Sequence, residues 1–271
     1  MYISTKAWKK FVEKLSKINQ AASDSVVEYI QKNGFSDRDA LIRYCYEVAS
    51  KYGNASATYT AMMYDAISEM SDAFYPAAEL APTPEYGEVA KTVNGVLKTS
   101  QNVNEMAGAI ARLVKRTGQD TILYNGIRDG AEFAWIPSGD TCAFCIALAS
   151  RGWQTISKES LKKGHAEHIH SNCDCTYMVR HNSSFDVPGY DPQTYKDMYY
   201  GDYWLDKLDG EAYDDFLDEY NFNDGFHSKD NINSMRRLFY QENRKTILEQ
   251  KKSAYEKRKE LNSSEAEEVK V

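Results

Sequence analysis

Cys142-Ala143-Phe144-Cys145, followed by His170-Ser171-Asn172-Cys173-Asp174-Cys175, places four of the chain's five cysteines in one short stretch. His165 and His168 lie just upstream of the second group. Thiolates and imidazoles are the ligands of a tetrahedral zinc ion, and a two-residue gap lets neighbouring side chains reach one ion. Cys142 and Cys145 have that gap, and so do His170 and Cys173. Cys173 and Cys175 are two apart, so in an extended segment both thiols face the same way. Five candidates therefore compete for four positions. Cys142, Cys145, His170 and Cys173 are the first choice, with Cys175 as the substitute for His170 or Cys173. His165 and His168 rank lower because they precede the second group in what reads as a loop. The plainer alternatives are buried apolar thiols, or a disulfide, which needs an oxidising compartment. A structural ion is expected over a catalytic one. A catalytic zinc keeps an open position beside an acid or base, whereas Glu167 and Asp174 read as loop solubilisers.

Working outward, Phe133-Ala134-Trp135-Ile136 reads as a short strand that stops at Pro137. Asp140 to Ser150 reads as a helix opening on the first cysteine pair, and Thr176-Tyr177-Met178-Val179 as a strand leaving the second. Residues 131–182 thus form a small metal-stapled α+β module.

Upstream, residues 1–130 read as helices. Phe11, Leu15, Ile18, Ala22, Val26 and Ile30 recur every three or four residues and Gly34 ends the pattern. Ser36 with Asp39 resembles an N-cap and its acid, with Leu41, Tyr44 and Val48 continuing to Gly53. A third helix is expected from Ser56 to Ala73, a fourth near Glu85 to Leu97 and a fifth from Asn102 to Arg128, carrying Met106, Ile110, Leu113, Val114, Ile122 and Leu123. Tyr75 to Pro84 holds three of the six prolines, so about 75–84 reads as a linker. Cys45, alone in a helical pattern, reads as a small buried apolar residue.

Downstream, residues 183–231 are acidic and aromatic: between Asp186 and Asp230, thirteen Asp or Glu face three Lys or Arg. The sign reverses in a helix-forming stretch at 232–260, with nine Lys or Arg against four Glu between Met235 and Glu260. Residues 261–271 have no periodicity and read as disordered. The 235–259 helix is able to make a weak DNA contact through phosphate, though a solvated helix, or one resting on the acidic segment, is the plainer expectation. The fold class is therefore mainly α: a helical N-terminal region, a small zinc-stapled α+β module and a helical or irregular C-terminal tail.

The 271 residues carry a net charge of -7 and are 42% hydrophobic. That is enough for a packed core, and the acidic balance opposes nonspecific nucleic-acid binding by the chain as a whole. Tyrosine is abundant, 20 against 10 phenylalanines, which suits contact with other proteins. No secretory signal and no apolar run near the ~20 residues of a membrane span are visible, so a soluble chain in a reducing cytoplasm is expected. No GxxxxGK[ST], GxGxxG after a strand, HExxH or GxSxG is present, and no small-molecule substrate is expected. His168-Ile169-His170 with Asn172 is faintly nuclease-like, but that chemistry also needs a histidine base and separate ligands on a helix.

The run Asp140-Thr141-Cys142-Ala143-Phe144-Cys145-Ile146-Ala147-Leu148-Ala149-Ser150-Arg151-Gly152, with His170 to Cys175, resembles the minor head (minor capsid) proteins of tailed bacteriophages. The likeness is to the group encoded beside the portal gene and related to the Mu F-like family. Ala57 to Asp65 and Arg112 to Thr121 are similar too, and the resemblance covers roughly residues 5–180. It implies a helical N-terminal part, a metal-stapled module and a place inside the phage head in the virion, with assembly in the host cytoplasm. The implied partners are the portal and the major capsid or scaffold protein. Some members carry enzymatic domains at the C-terminus. The residues after 182 show no catalytic constellation here, so an enzyme is not expected. The rival reading is a metal-dependent nuclease or other DNA-processing enzyme carried in the virion.

Overall fold

Ala22, Val26 and Ile30 repeat every four residues, with Trp8 and Phe11 earlier on the same side, and all five are buried along helix α1 (Thr5–Asn33). Phe11, Val26 and Ile30 each contribute about 1.5–3 kcal/mol when fully buried. Ser4 caps the start by accepting from the Ala7 amide at 3.1 Å, and Gly34 ends the helix at φ 68°. The computed structural model describes residues 3–71, 73–137, 143–155, 175–183, 185–200 and 203. The chain divides into two compact units, Met1–Thr141 with Leu148–Gln193, and Cys142–Ala147 with Thr194–Val271. Among the described residues the fold is mainly helical with one small sheet.

Helix α2 (Arg38–Glu69) runs unbroken through both stretches that the sequence divides at Gly53. The reason lies in packing. A Cβ on Gly53 would meet Thr117 Oγ1 at 3.2 Å, and one on Gly118 would meet Ser56 Oγ at 2.4 Å. These glycines let α2 and α4 (Val103–Asp129) approach closely; they do not end a helix. The α2 cap also differs from the expected Ser36: Asp37 accepts from the Ala40 amide at 2.9 Å. Cys45 is fully buried in the core with Leu41, Val48, Ala49, Met106 and Ile110, and burial pushes its thiol up to about 12, as suits an apolar filler.

Residues 75–84 carry no helix or strand, yet they are tied down. Thr121, Asn125 and Arg128, at i, i+4 and i+7 on α4, bind their backbone. Thr121 Oγ1 accepts from the Ala81 amide at 3.1 Å. The Asn125 amide group accepts from Glu79 N at 2.9 Å and donates to Glu79 O at 2.8 Å. Arg128 donates to the carbonyls of Pro76 and Ala77 at 2.9 and 3.1 Å. This explains why polar Thr121 and Asn125 are buried: their groups satisfy an irregular backbone. Beyond it, α3 (Tyr86–Thr99) packs on α2 and α4. Arg116 of α4 pairs with Glu88 of α3 and with Asp120 one turn along.

Gly130, left-handed at φ 67°, turns the chain out of α4, and the Ala131 amide reaches back to the Gly126 carbonyl at 2.8 Å. Strand β1 (Glu132–Ile136) follows and lies between β2 (Gln154–Thr155) and β3 (Thr176–Arg180), antiparallel to both. The two longer strands match the sequence reading; two-residue β2 has too little pattern to be seen there. Trp135 opposes Tyr177, their rings edge to face at 4.6 Å, and Glu132 opposes and pairs with Arg180 at 2.6 Å. The sheet packs on α4, where Val179 lies against Gly126. Helix α5 (Ala143–Ala149) and helix α6 (Pro192–Tyr200) complete the described elements. The expected acidic segment after residue 203, basic helix at 232–260 and tail at 261–271 lie outside the described residues.

Candidate functional site

Of the five metal candidates, Cys145 and Cys175 lie among the described residues; Cys142, His170 and Cys173 lie outside them, as do His165 and His168. Cys145 is buried in α5 beside buried Ala143, Ile146 and Ala147. Cys175 is buried at the entry to β3. Among the described residues no three Cys, His, Asp or Glu side chains converge as a metal would require. A donor set of buried thiols with imidazole is nevertheless chemically suited to zinc, which prefers sulfur and nitrogen to oxygen.

Cys175 sits where the entry to β3 meets the helices. It lines a small cavity of about 20 Å3, with Asn19 from α1, Thr60 from α2, and Lys115 and Gln119 from α4. That is room for about one water molecule. Lys115, only 8% exposed, is one of the residues that line it. Immediately next to Cys175, Gln119 fixes the strand: its amide donates to Thr176 Oγ1 at 2.8 Å and accepts from the Tyr177 amide at 2.7 Å. The edge of β3 is thereby covered by α4.

The sequence reading passed over His181, at the exit of β3. Its Nε2 lies 2.9 Å from Ser68 Oγ, and its ring stacks on Tyr75 at 3.8 Å and meets Tyr64 edge-on at 5.6 Å. Asp129 is close, and the set resembles a serine–histidine–acid relay in composition. The geometry differs. Ser68 donates its proton to the Tyr64 carbonyl at 3.0 Å, while Asp129 accepts from Tyr64 Oη at 2.7 Å and from Arg128. His181 Nδ1, where a relay would put the acid, has no hydrogen-bond partner among the described residues. Burial lowers the His181 pKa, with Asp129 opposing. Burial would raise Asp129, but the bonds from Arg128 and Tyr64 hold it below its ordinary value. The cluster is a tie between β3 and the end of α2. Only its three-dimensional neighbours reveal it, since Ser68 and His181 are 113 positions apart.

No described helix is long and apolar enough to cross a membrane. No curated protein and no solved structure matches the chain. The VG15 protein family matches residues 2–201, a span that takes in the helical body, the sheet and the whole cysteine–histidine stretch. The chain belongs to the VG15 protein family, and is a viral protein of phage type.

Proposed function

We propose that the chain is a structural minor head protein of a tailed phage, of the Mu F-like, portal-adjacent kind, which binds the portal or the inner capsid during head assembly. The family match across residues 2–201 carries this reading, because it joins the helical body and the cysteine–histidine stretch in one viral protein. The build of the body supports it. Long capped helices packed through close glycine contacts make a stiff frame, and a stiff frame presents surfaces to partners at low entropic cost.

In this reading Cys142, Cys145, His170 and Cys173 hold one zinc ion, with Cys175 as the substitute for His170 or Cys173. The ion acts as a clamp on the chain between β1 and β3. Metal binding of this kind is folding free energy, on the order of 10 kcal/mol in small sites. The protein resides inside the virion head and carries no enzymatic activity. Elemental analysis of the purified full-length chain tests the clamp: one zinc per chain is expected, lost in Cys142→Ser and Cys145→Ser and kept in Cys45→Ala. Incubation with plasmid DNA and Mg²⁺, Mn²⁺ or Zn²⁺ tests the rest. Cleavage abolished by His170→Ala would replace the structural reading with a nuclease.

A further inference from the structure

Three of the helical glycines have an evident steric partner. Gly53, Gly118 and Gly126 each admit a neighbouring helix or strand of this chain. Gly95 does not. It sits inside 14-residue α3, where glycine is the least favourable residue after proline. Its φ is not positive, so the backbone does not demand it. Beyond its own helix, no atom of the described residues comes within 4 Å of where its Cβ would stand. That vacant position opens onto a groove of about 590 Å3 between α3 and α4, lined by Lys91, Gly95 and Val96 on one side and Arg112, Leu113 and Arg116 on the other.

The charges in this groove are unbalanced. Arg116 is held by Glu88 and Asp120. Lys91, one turn before Gly95, and Arg112 across the groove are both exposed, and among the described residues neither has a hydrogen bond or ion pair. Two uncompensated cations thus flank a floor of Val96 and Leu113, on a chain whose net charge is -7.

We infer that the α3–α4 groove seats an acidic amphipathic helix of a partner protein, whose backbone passes closely over Gly95. Its apolar stripe rests on Val96 and Leu113, and its carboxylates face Lys91 and Arg112. This is the helix-in-groove mode of recognition, in which anchors at helical spacing enter an apolar trough. A nucleic-acid backbone would use the cations but has no use for the apolar floor or the missing side chain. The inference rests on the reading that the helical part supplies the protein–protein surface, and it is independent of the zinc.

The test uses the full chain and a fluorescein-labelled amphipathic helical peptide bearing Glu on its polar face, with Gln-faced and Lys-faced versions and a 20-bp duplex as comparisons. Fluorescence anisotropy is expected to show binding of the Glu peptide and about tenfold weaker binding of the Gln peptide. Gly95→Leu should weaken the Glu peptide about tenfold or more while raising the melting temperature, since leucine is the better helix former and its side chain enters open space. A purely internal role for Gly95 predicts no loss of binding. The double variant Lys91→Glu with Arg112→Glu should lose the Glu peptide and gain the Lys peptide, which a misfolded chain would not do. Equal affinity of the Glu peptide for the wild type and the Gly95→Leu chain would overturn the inference. So would duplex binding without Glu-peptide binding, which would assign the groove to nucleic acid. So would self-association in sedimentation that Gly95→Leu abolishes, which would assign it to a second copy. Presence in the virion is scored separately, so failure of the groove and failure of the head-protein reading are distinguishable.

Discussion

Replacing Asn125 by leucine keeps a side chain of similar length while removing the amide that reads the backbone of residue 79. In the native chain that amide accepts from Glu79 N at 2.9 Å and donates to Glu79 O at 2.8 Å, and it also donates to the Thr121 carbonyl at 2.7 Å. The Thr121 carbonyl lies within α4 and keeps its helical partner, so that third bond adds little. The two Glu79 groups are left to find water or nothing. At about 1 kcal/mol for each lost bond, the substitution should destabilise the chain by roughly 2 kcal/mol. For a folding unit of this size 1 kcal/mol moves the midpoint by about 2–4 °C, so a drop of about 4–8 °C is expected in a thermal melt followed by far-ultraviolet circular dichroism. Limited proteolysis should cleave within 75–84 faster than in the wild type, because the amide pair pins that segment. Asn104→Leu, at an exposed site in the first turn of α4, is the control and should stay within about 0.5 kcal/mol. A midpoint for Asn125→Leu within 1 °C of the control, with unchanged cleavage, would mean that residues 75–84 are a free linker and the reasoning is wrong.

Other consequences are as definite. Burial pushes the Asp120 carboxyl up to about 6, with Arg116 pulling it down and Glu88 pushing it up. A carboxyl whose folded value exceeds its unfolded value binds more protons in the folded state between the two. Stability is therefore lost as pH rises from about 4 to 6 and levels off above. Asp120→Asn should remove that slope, so the melting difference between variant and wild type should move in the variant's favour across this window. Gln119→Ala removes the donor to Thr176 Oγ1 and the acceptor of the buried Tyr177 amide and should cost about 1–3 kcal/mol, read by urea unfolding. Cys142→Ser should lose zinc and open the chain between β1 and β3 to protease while the helical signal of α1 to α4 stays largely intact.

Periodicity carried much of the helical fold because α1 and α3 bury one face each, and a one-sided pattern at 3.6 residues is visible in sequence. Gly53 misled because a glycine has the same letter whether it ends a helix or lets another helix approach; only Thr117 opposite it decides. The pinning of 75–84 was hidden because Thr121, Asn125 and Arg128 look like ordinary polar helix residues until their partners, forty or more positions away, are in place. His181 was missed for the same reason: its partners come from α2, the segment after α2 and the end of α4. The cysteine and histidine spacing was the most legible chemical signal, since short gaps constrain geometry without any tertiary knowledge. That Lys115 and Cys175 line one cavity could not be foreseen, because α4 and the entry to β3 meet only in the fold.

The most direct measurement of the central claim is quantitative mass spectrometry of gradient-purified phage particles, scored against the major capsid protein. The account predicts peptides of this chain in intact, DNA-filled heads at a few copies per particle. Their absence from particles released by cells that synthesise the protein would contradict it.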